Sequence, residues 1–502
     1  MSQKPNIILL LNDHQAYYGH GEMAGGPKIL RPSFERLAAE GVEFIRAYTA
    51  CPLCGPARRS ILTGLFPHNH GEIVNDTNHK YDRITYLEKL AEDGYENYYY
   101  GKWHAGRKTA HYFNCEGFSY PSYNNPYTKS EYNEYLEKNN LPPFEVQIQR
   151  SFWEPGRKYY FLPDVKEGAL YKPKSYWCAE HATGIMTTPK ETHEAFFLAS
   201  LACNKLKDIV KSGSKKPFHL RVDFWGPHQP YFATQEFLDM YNPNDIPEYP
   251  SFRDDLKSKP EVYKFDTNYP LSKMRKILYP NPLPWSEWQK VIALNYAQQT
   301  LIDEAGGLIL ETLEDLELAE NTIVVWSADH GDALACHGGH FDKAFYMPEE
   351  MVRIPMAIRY PNMIKPGQKS GKLVSNIDIA PTFLDVAGTS FGDSIDGESL
   401  LPVCLGNDNN WREELMVQTH GHLIPHLGRL VVTDRYKYVW NEGDMDELYD
   451  LKEDPFEMKN LSKIEKYSKV LLDMKNRLKI VRKKSGDFIE RGMIKGRRLR
   501  IK

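Results

Sequence analysis

The sequence predicts an α/β fold: a large wound sheet, parallel or mixed, flanked by helices, with a small C-terminal unit of antiparallel sheet and helix. Three observations carry this. Residues 6–11 (NIILLL) form an unbroken apolar run, the pattern of a strand buried on both faces of a parallel sheet. Residues 322–326 (TIVVW) form a second, β-branched run that ends, like the first, in polar and acidic residues. Over residues 429–440 and 447–450 the pattern changes to alternation of apolar and polar residues, as in antiparallel strands with one face in water. A chain of 502 residues is too long for one small core, and the expected division is an α/β domain over residues 1–405 and a smaller subdomain over 406–502.

An apolar content of 41% with 26% charged residues is that of a soluble globular chain, and a formal net charge of −4 argues against a general nucleic-acid binder. Basic residues crowd the end, where residues 475–502 hold only Asp487 and Glu490 as acids. This tail reads as a solvated or subunit-docking extension, compatible with a homo-oligomer. The seven cysteines are scattered and odd in number, which is no disulfide framework. The opening MSQKPNIILLLND lacks a small-residue cleavage site, and no apolar run reaches the length of a membrane span. A cytoplasmic protein with no membrane contact is the expectation.

The first strand leads into Asn12-Asp13-His14-Gln15, and the carboxyl end of such a strand is where open α/β sheets place ligands. Asp13 reads equally well as a turn cap. Phe34, Leu37 and Ala38 recur at helical spacing before Gly41, and residues 42–45 (VEFI) read as a strand that delivers residues 52–64 (PLCGPARRSILTG). There Cys54 and Arg58 stand just ahead of residues 60–63 (SILT), which read as the start of a buried helix. A helix N-terminus beside a guanidinium suits an oxyanion and lowers the pKa of a nearby thiol. Cys54 also admits the readings of a small packed hydrophobe, or of half a zinc or redox pair with Cys51. A helix over 85–90 and an aromatic strand over 95–100 lead to Gly101-Lys102-Trp103-His104, where Lys102 and His104 are either surface decoration or anion ligands.

Residues 112–182, rich in Tyr, Pro and Asn, read as a long insertion with little regular structure, of the kind that shapes a substrate pocket. A helix over 194–210 and a strand over 218–224 follow, ending in Gly226-Pro227-His228-Gln229-Pro230, where two prolines fence His228. Residues 230–284 read as further pocket wall or surface. A helix near 288–313 precedes the second acidic strand end, Ser327-Ala328-Asp329-His330-Gly331. Two such ends can converge on one cation. The C-terminal alternation is followed by a helix over about 464–481.

Residues 52–64 resemble, position by position, the signature of the type I sulfatases, and the resemblance extends over most of residues 6–461. It implies an alkaline phosphatase-like α/β domain with a small C-terminal sheet and helix. It implies that Cys54 is oxidised to formylglycine by a maturing enzyme. One hydroxyl of the hydrated aldehyde then attacks the sulfur of a sulfate monoester, and the other helps eliminate sulfate. The family's metal ligands fall on Asp13, residue 54, Asp329 and His330, with Ca²⁺ as the expected ion and Mg²⁺ or Mn²⁺ as alternatives. Its sulfate- and hydrate-binding positions fall on Arg58, Lys102, His104, His228 and Lys343. The sequence departs from the family at His14, where a second metal-binding Asp is the rule; an imidazole is a poor ligand for a hard cation. The implied substrate is a small-molecule or sugar sulfate ester. The rival readings are a phosphodiester or phosphonate monoester hydrolase of the same superfamily, a redox or zinc protein using Cys51 and Cys54, and an inactive binding protein.

Overall fold

In the computed structural model, all residues are described except 1–3, 20, 76, 78, 121–124, 153–162, 176, 266–277, 281, 344, 423 and 489–502. The central element is an eight-stranded sheet. Its order is Gln368–Ser370, Val42–Phe44, Met356–Arg359, Thr322–Ala328, Asn6–Asn12, Phe218–Asp223, Glu96–Lys102 and Cys115–Tyr120. The run of four strands from Thr322–Ala328 to Glu96–Lys102 is parallel, and Met356–Arg359 is antiparallel to both of its neighbours, so the sheet is mixed. The apolar run of residues 6–11 lies at its centre because both faces are covered. Ile8 and Leu10 pack on one side with Leu220, Val222, Trp326 and the helices Glu194–Ser212 and Trp285–Asp315. Ile7, Leu9 and Leu11 pack on the other with Ile323, Val325, Tyr99 and the helix Ile379–Ala387.

The helix starts and stops follow local chemistry. Thr85 and Glu88 form a reciprocal capping box at the start of Tyr86–Glu92. His193 caps Glu194–Ser212 by accepting from the Ala195 N–H, and Gly213 ends that helix in the left-handed region.

The insertion departs from the sequence reading. Residues 112–182 hold the helix Ser130–Lys138 and several strands. One of these, Cys115–Tyr120, extends the main sheet. Val146–Ser151, Leu170–Tyr171 and Ala182–Met186 form a second sheet, joined by Tyr231–Ala233 from beyond the insertion. These strands are short, and the register shifts between Ile148 and Arg150, which hides a period of two.

The C-terminal strands Leu415–Gly421, Pro425–Val432, Tyr436–Asn441 and Glu447–Asp450 form an antiparallel meander. The helix Ser468–Ser485 lies on it through Met474 and Leu478. Met416, Val431 and Leu448 pack against Ala50, Phe66 and Ile377, so this sheet is seated on the loops around Cys54. The start of the basic tail is ordered: Asp487 accepts from buried Arg429 at 2.6 Å. Residues 489–502 of that tail, and with them its role in subunit docking, lie outside the described residues. No helix among the described residues is long and apolar enough to cross a membrane.

Candidate active site

The strand register decides where the site is. Leu11 pairs with both Ser327 and Asp223, and Asp223 pairs with Gly101. Asp13, Asp329, Asp223 and Lys102 therefore reach one carboxyl edge of the sheet together. Gly101 is required there. At φ 116° a side chain is strained, and a Cβ would lie 2.1 Å from the Asp223 carbonyl oxygen.

Above this edge sits the helix Cys54–Thr63, all ten of whose residues are buried. Arg58 projects from it into the three carboxylates. Its Nε donates to Asp329 Oδ2, its Nη1 to Asp223 Oδ2 and its Nη2 to Asp13 Oδ2, each at 2.8 Å, and Nη1 also reaches the Lys102 carbonyl. Lys102 Nζ forms an ion pair with Asp13 Oδ2. Burial alone would raise the Asp13 carboxyl, but Lys102 and Arg58 hold it far below the usual carboxylate range.

Cys54 lies at the mouth of this cluster. Its Sγ is 3.1 Å from His330 Nε2 and 3.7 Å from Asp13 Oδ1. His330 Nδ1 lies 2.8 Å from the Gly331 carbonyl, which can only accept, so Nδ1 carries the proton and Nε2 faces Cys54 with its lone pair. Burial and Lys343 push His330 below its ordinary value, against the pull of Asp329, so the ring is neutral. The donor atoms of Asp13, Cys54, Asp329 and His330 all lie within 4.8 Å of one another. Two carboxylates, a neutral imidazole and a fourth donor at residue 54 are a set that fits a divalent cation.

Facing Cys54 is a second group of charges. Lys343 Nζ is 2.8 Å from His228 Nε2 and 3.0 Å from Asp342 Oδ1. The His228 ring donates Nδ1–H to the Gln229 carbonyl, leaving Nε2 to accept from Lys343. Burial and Lys343 hold His228 well below its ordinary value, while Asp342, opposing burial, keeps Lys343 charged. His104 is buried, with φ 40°, and its carbonyl oxygen lies 3.4 Å from the position a Cβ would take at Gly55, next to Cys54. All nine sequence-predicted residues thus reach this one region.

His14 does not join the four-donor group. Its backbone N–H donates to Asp329 Oδ1, while its ring turns the other way, with Nε2 3.5 Å from Asp342 and 3.6 Å from Asp332.

Sequence reasoning missed four residues. Asp223 closes an alternating stretch, FHLRVD, and is followed by Phe224 and Trp225, so no apolar run breaks off there to mark it. It binds Arg58, Tyr99 and Arg221 at once. Glu194 accepts from the Trp225 and Gly226 N–H groups ahead of His228, and burial pushes its carboxyl up to about 8. Asn376 ties the Asp329 carbonyl to the Ala50 N–H beside the Cys54 loop. His422, from the turn of the C-terminal meander, lies close enough to Lys343, Asp342 and His104 for their charges to act on it, and burial pushes it down to about 4.

All seven cysteines are free and buried. Cys54 shares its donor group with two Asp and a His, and Cys51 belongs to no such group among the described residues.

Comparison with known proteins bears on the same elements. A family model described as Sulfatase matches residues 5–389, and one described as N-sulphoglucosamine sulphohydrolase, C-terminal, matches residues 336–484. The chain is 28% identical to an N-acetylglucosamine-6-O-sulfatase of Bacteroides thetaiotaomicron, over 93% of this chain and 84% of that one. It is 26% identical to a choline-sulfatase of Rhizobium meliloti, over 91% and 82%. Among solved structures, a protein in complex with its substrate D-glucosamine-2-N,6-O-disulfate aligns with a TM-score of 0.68 at 24% identity, covering 97% of this chain and 99% of that one. A phosphonate monoester hydrolase of Agrobacterium radiobacter aligns with a TM-score of 0.76 at 18% identity, covering 96% of each. With the family match spanning the whole sheet, the Cys54 helix and every strand end described above, the chain belongs to the sulfatase family, whose members hydrolyse sulfate esters.

Proposed function

We propose that this sulfatase cleaves the sulfate monoester of a sulfated sugar, using formylglycine derived from Cys54 as nucleophile beside a divalent cation. The observation that carries this reading is the position of Cys54: at the N-terminus of a buried helix, with Sγ 3.1 Å from His330 Nε2 and 3.7 Å from Asp13 Oδ1. A thiol is a mismatched fourth donor beside two carboxylates, whereas an oxygen at that position suits a hard cation. The sugar as leaving group is supported by the names of two relatives, the N-acetylglucosamine-6-O-sulfatase and an ulvan-active sulfatase of Formosa agariphila.

Asp13, Asp329 and His330 are the residues to hold the cation; the carboxylates suit Ca²⁺ or Mg²⁺, and the imidazole brings Mn²⁺ into range. When bound, the cation supplies Lewis-acid polarisation of the ester oxygen and favours a deprotonated nucleophile. Formylglycine, installed by a maturing enzyme and hydrated, supplies the attacking hydroxyl. Arg58 fixes the spacing of the three carboxylates by binding all of them. Lys102 holds Asp13 ionised. Lys343, kept charged by Asp342, grips the sulfate and directs its proton at His228 Nε2, which faces the leaving oxygen. His104 serves as acid–base partner when sulfate is released.

Mass spectrometry of the tryptic peptide spanning residues 47–58, from protein made in its native host, tests the nucleophile. Replacement of the thiol by an aldehyde or its hydrate is the expected result, and an intact alkylatable thiol in active protein overturns it. Rates on aryl sulfate against aryl phosphate and phosphonate esters test the ester class. A preference for the phosphorus esters by an order of magnitude or more would move the assignment to a phosphonate monoester hydrolase.

A further inference from the structure

Behind the Asp329 strand end lies a second group of metal-binding side chains that the reaction above does not use. Cys336, His337 and Glu350 bring Sγ, an imidazole nitrogen and a carboxylate oxygen within 4.8 Å of one another. Cys336 and His337 are fully buried, and the Glu350 side chain is 12% exposed. The His337 ring is oriented from outside the group. Its Nδ1 lies 3.0 Å from Asp254 Oδ2, so the proton sits there and Nε2 turns its lone pair inward. Nε2 is buried without a hydrogen-bond partner and is 3.8 Å from Glu350 Oε2, too far for a hydrogen bond. A carboxylate behind a histidine whose other nitrogen faces a thiol and a second carboxylate is the outer-sphere pattern of metal-ligating histidines. His337 is held in this aim by a left-handed backbone, φ 44°.

We propose that Cys336, His337 and Glu350 form a second cation site, specific for a borderline divalent ion of the zinc class. Its role is structural. The donor set of thiolate, imidazole and carboxylate is one that zinc accepts and calcium does not. The ligand atoms of four-coordinate zinc stand roughly 3–4 Å apart, so a small contraction of the group closes the site. Of the three donors, Glu350 borders a cavity of about 180 Å³ that is also lined by Tyr249, Tyr48 and Arg353. Without a cation, burial drives all three ligands to their uncharged forms: Glu350 up to about 8, His337 down to about 3 and the Cys336 thiol upward. Binding displaces the Cys336 thiol proton and the Glu350 carboxyl proton to solvent and leaves thiolate and carboxylate on the metal. The other donor group near the active site, His14, His228 and Asp342, is no such candidate, because the Lys343 ammonium already bridges His228 and Asp342.

The site joins two segments that matter to catalysis. The loop from Gly331 to Lys343 carries Lys343 into the active site through left-handed residues at Leu334, Ala335, His337 and Asp342. Among the described residues, two backbone bonds, Gly331 N–H to the Met351 carbonyl and Asp332 N–H to the Glu350 carbonyl, tie its start to the helix Glu349–Val352. A cation on Cys336, His337 and Glu350 staples the middle of the loop to that same helix.

The test uses the full-length Cys54→Ala protein, which lacks the active-site thiol, stripped with chelator and titrated with Co²⁺. One equivalent producing a thiolate-to-cobalt charge-transfer band is the expected result, since Co²⁺ at Asp13, Asp329 and His330 has no thiolate left to give it. Adding Cys336→Ser abolishes the band, and adding Asp254→Asn weakens cobalt binding by ~10–100-fold. No band in Cys54→Ala, or a band surviving Cys336→Ser, overturns the proposal. Should the Cys336 variant not fold, anomalous diffraction from crystals of the unmutated chain grown with zinc decides. A peak among Cys336, His337 and Glu350 sustains the site, and a peak confined to Asp13, Asp329 and His330 removes it.

Discussion

Arg58 is the side chain on which the polar centre depends, because one buried guanidinium binds Asp13, Asp223 and Asp329. Removing it leaves three buried carboxylates without their shared cation, so Arg58→Ala should cost on the order of 3–5 kcal/mol in chemical denaturation and abolish turnover. Arg58→Lys restores charge but not the fork and should recover only part of either. Glu194 gives a pH signature of its own. Its folded-state carboxyl is raised to about 8, so the folded protein holds a proton that the unfolded chain releases near the ordinary carboxylate value. Stability from this group is full below about pH 4.3 and is lost as pH rises toward 8. Glu194→Gln should flatten that fall, measured as the difference in Tm between the two proteins across this window; identical slopes would refute the assignment. Asp13 behaves in the opposite sense. Its depressed carboxyl contributes stability above the ordinary carboxylate range, and that stability is lost only in strong acid. Asp13 and Asp329 were legible because each stands where an apolar run breaks into polar residues, and Cys54 because of the signature carried by residues 52–64. Glu194 and His422 were not, since nothing in the local sequence distinguishes them from a first-turn helix acid and a turn histidine.

At the scale of elements, the function rests on strand ends meeting in register. Gly101 lets Glu96–Lys102 approach Phe218–Asp223 closely enough for Lys102 and Asp223 to serve one cluster. Gly101→Ala should force the strands apart, lower stability by roughly 2 kcal/mol or more and reduce kcat further than that loss of folded protein explains. Thermal denaturation together with kcat per folded molecule checks it. Five of the eight strands of the main sheet, Asn6–Asn12, Val42–Phe44, Glu96–Lys102, Phe218–Asp223 and Thr322–Ala328, were readable from the local sequence. The insertion was not. Its sheet draws Tyr231–Ala233 from far along the chain, and pairing of that kind leaves no mark on a window of ten residues.

At the scale of the molecule, the C-terminal meander does more than cover an end of the α/β domain. Its turn carries His422 to the region of Lys343 and Asp342, and Gln418 N–H bonds to the Ala50 carbonyl just ahead of the Cys54 loop. His422→Ala should lower kcat/KM on a sulfate ester by ~10-fold, equivalent to about 1.4 kcal/mol of transition-state binding, while leaving Tm unchanged. An equal loss of Tm would make His422 a packing residue instead. The place of the first strand also has a consequence for how the protein is made. Asn6–Asn12 leaves the ribosome well before its two partners, Phe218–Asp223 and Thr322–Ala328, so the centre of the sheet waits for the residues between them. The Cys54 helix, wholly buried in the finished protein, spends that interval on an unfinished chain. At about 5–20 residues per second this is a delay of roughly tens of seconds. Any enzyme that alters Cys54 has only this interval in which to reach it, so an unmodified chain that has completed folding is closed to repair.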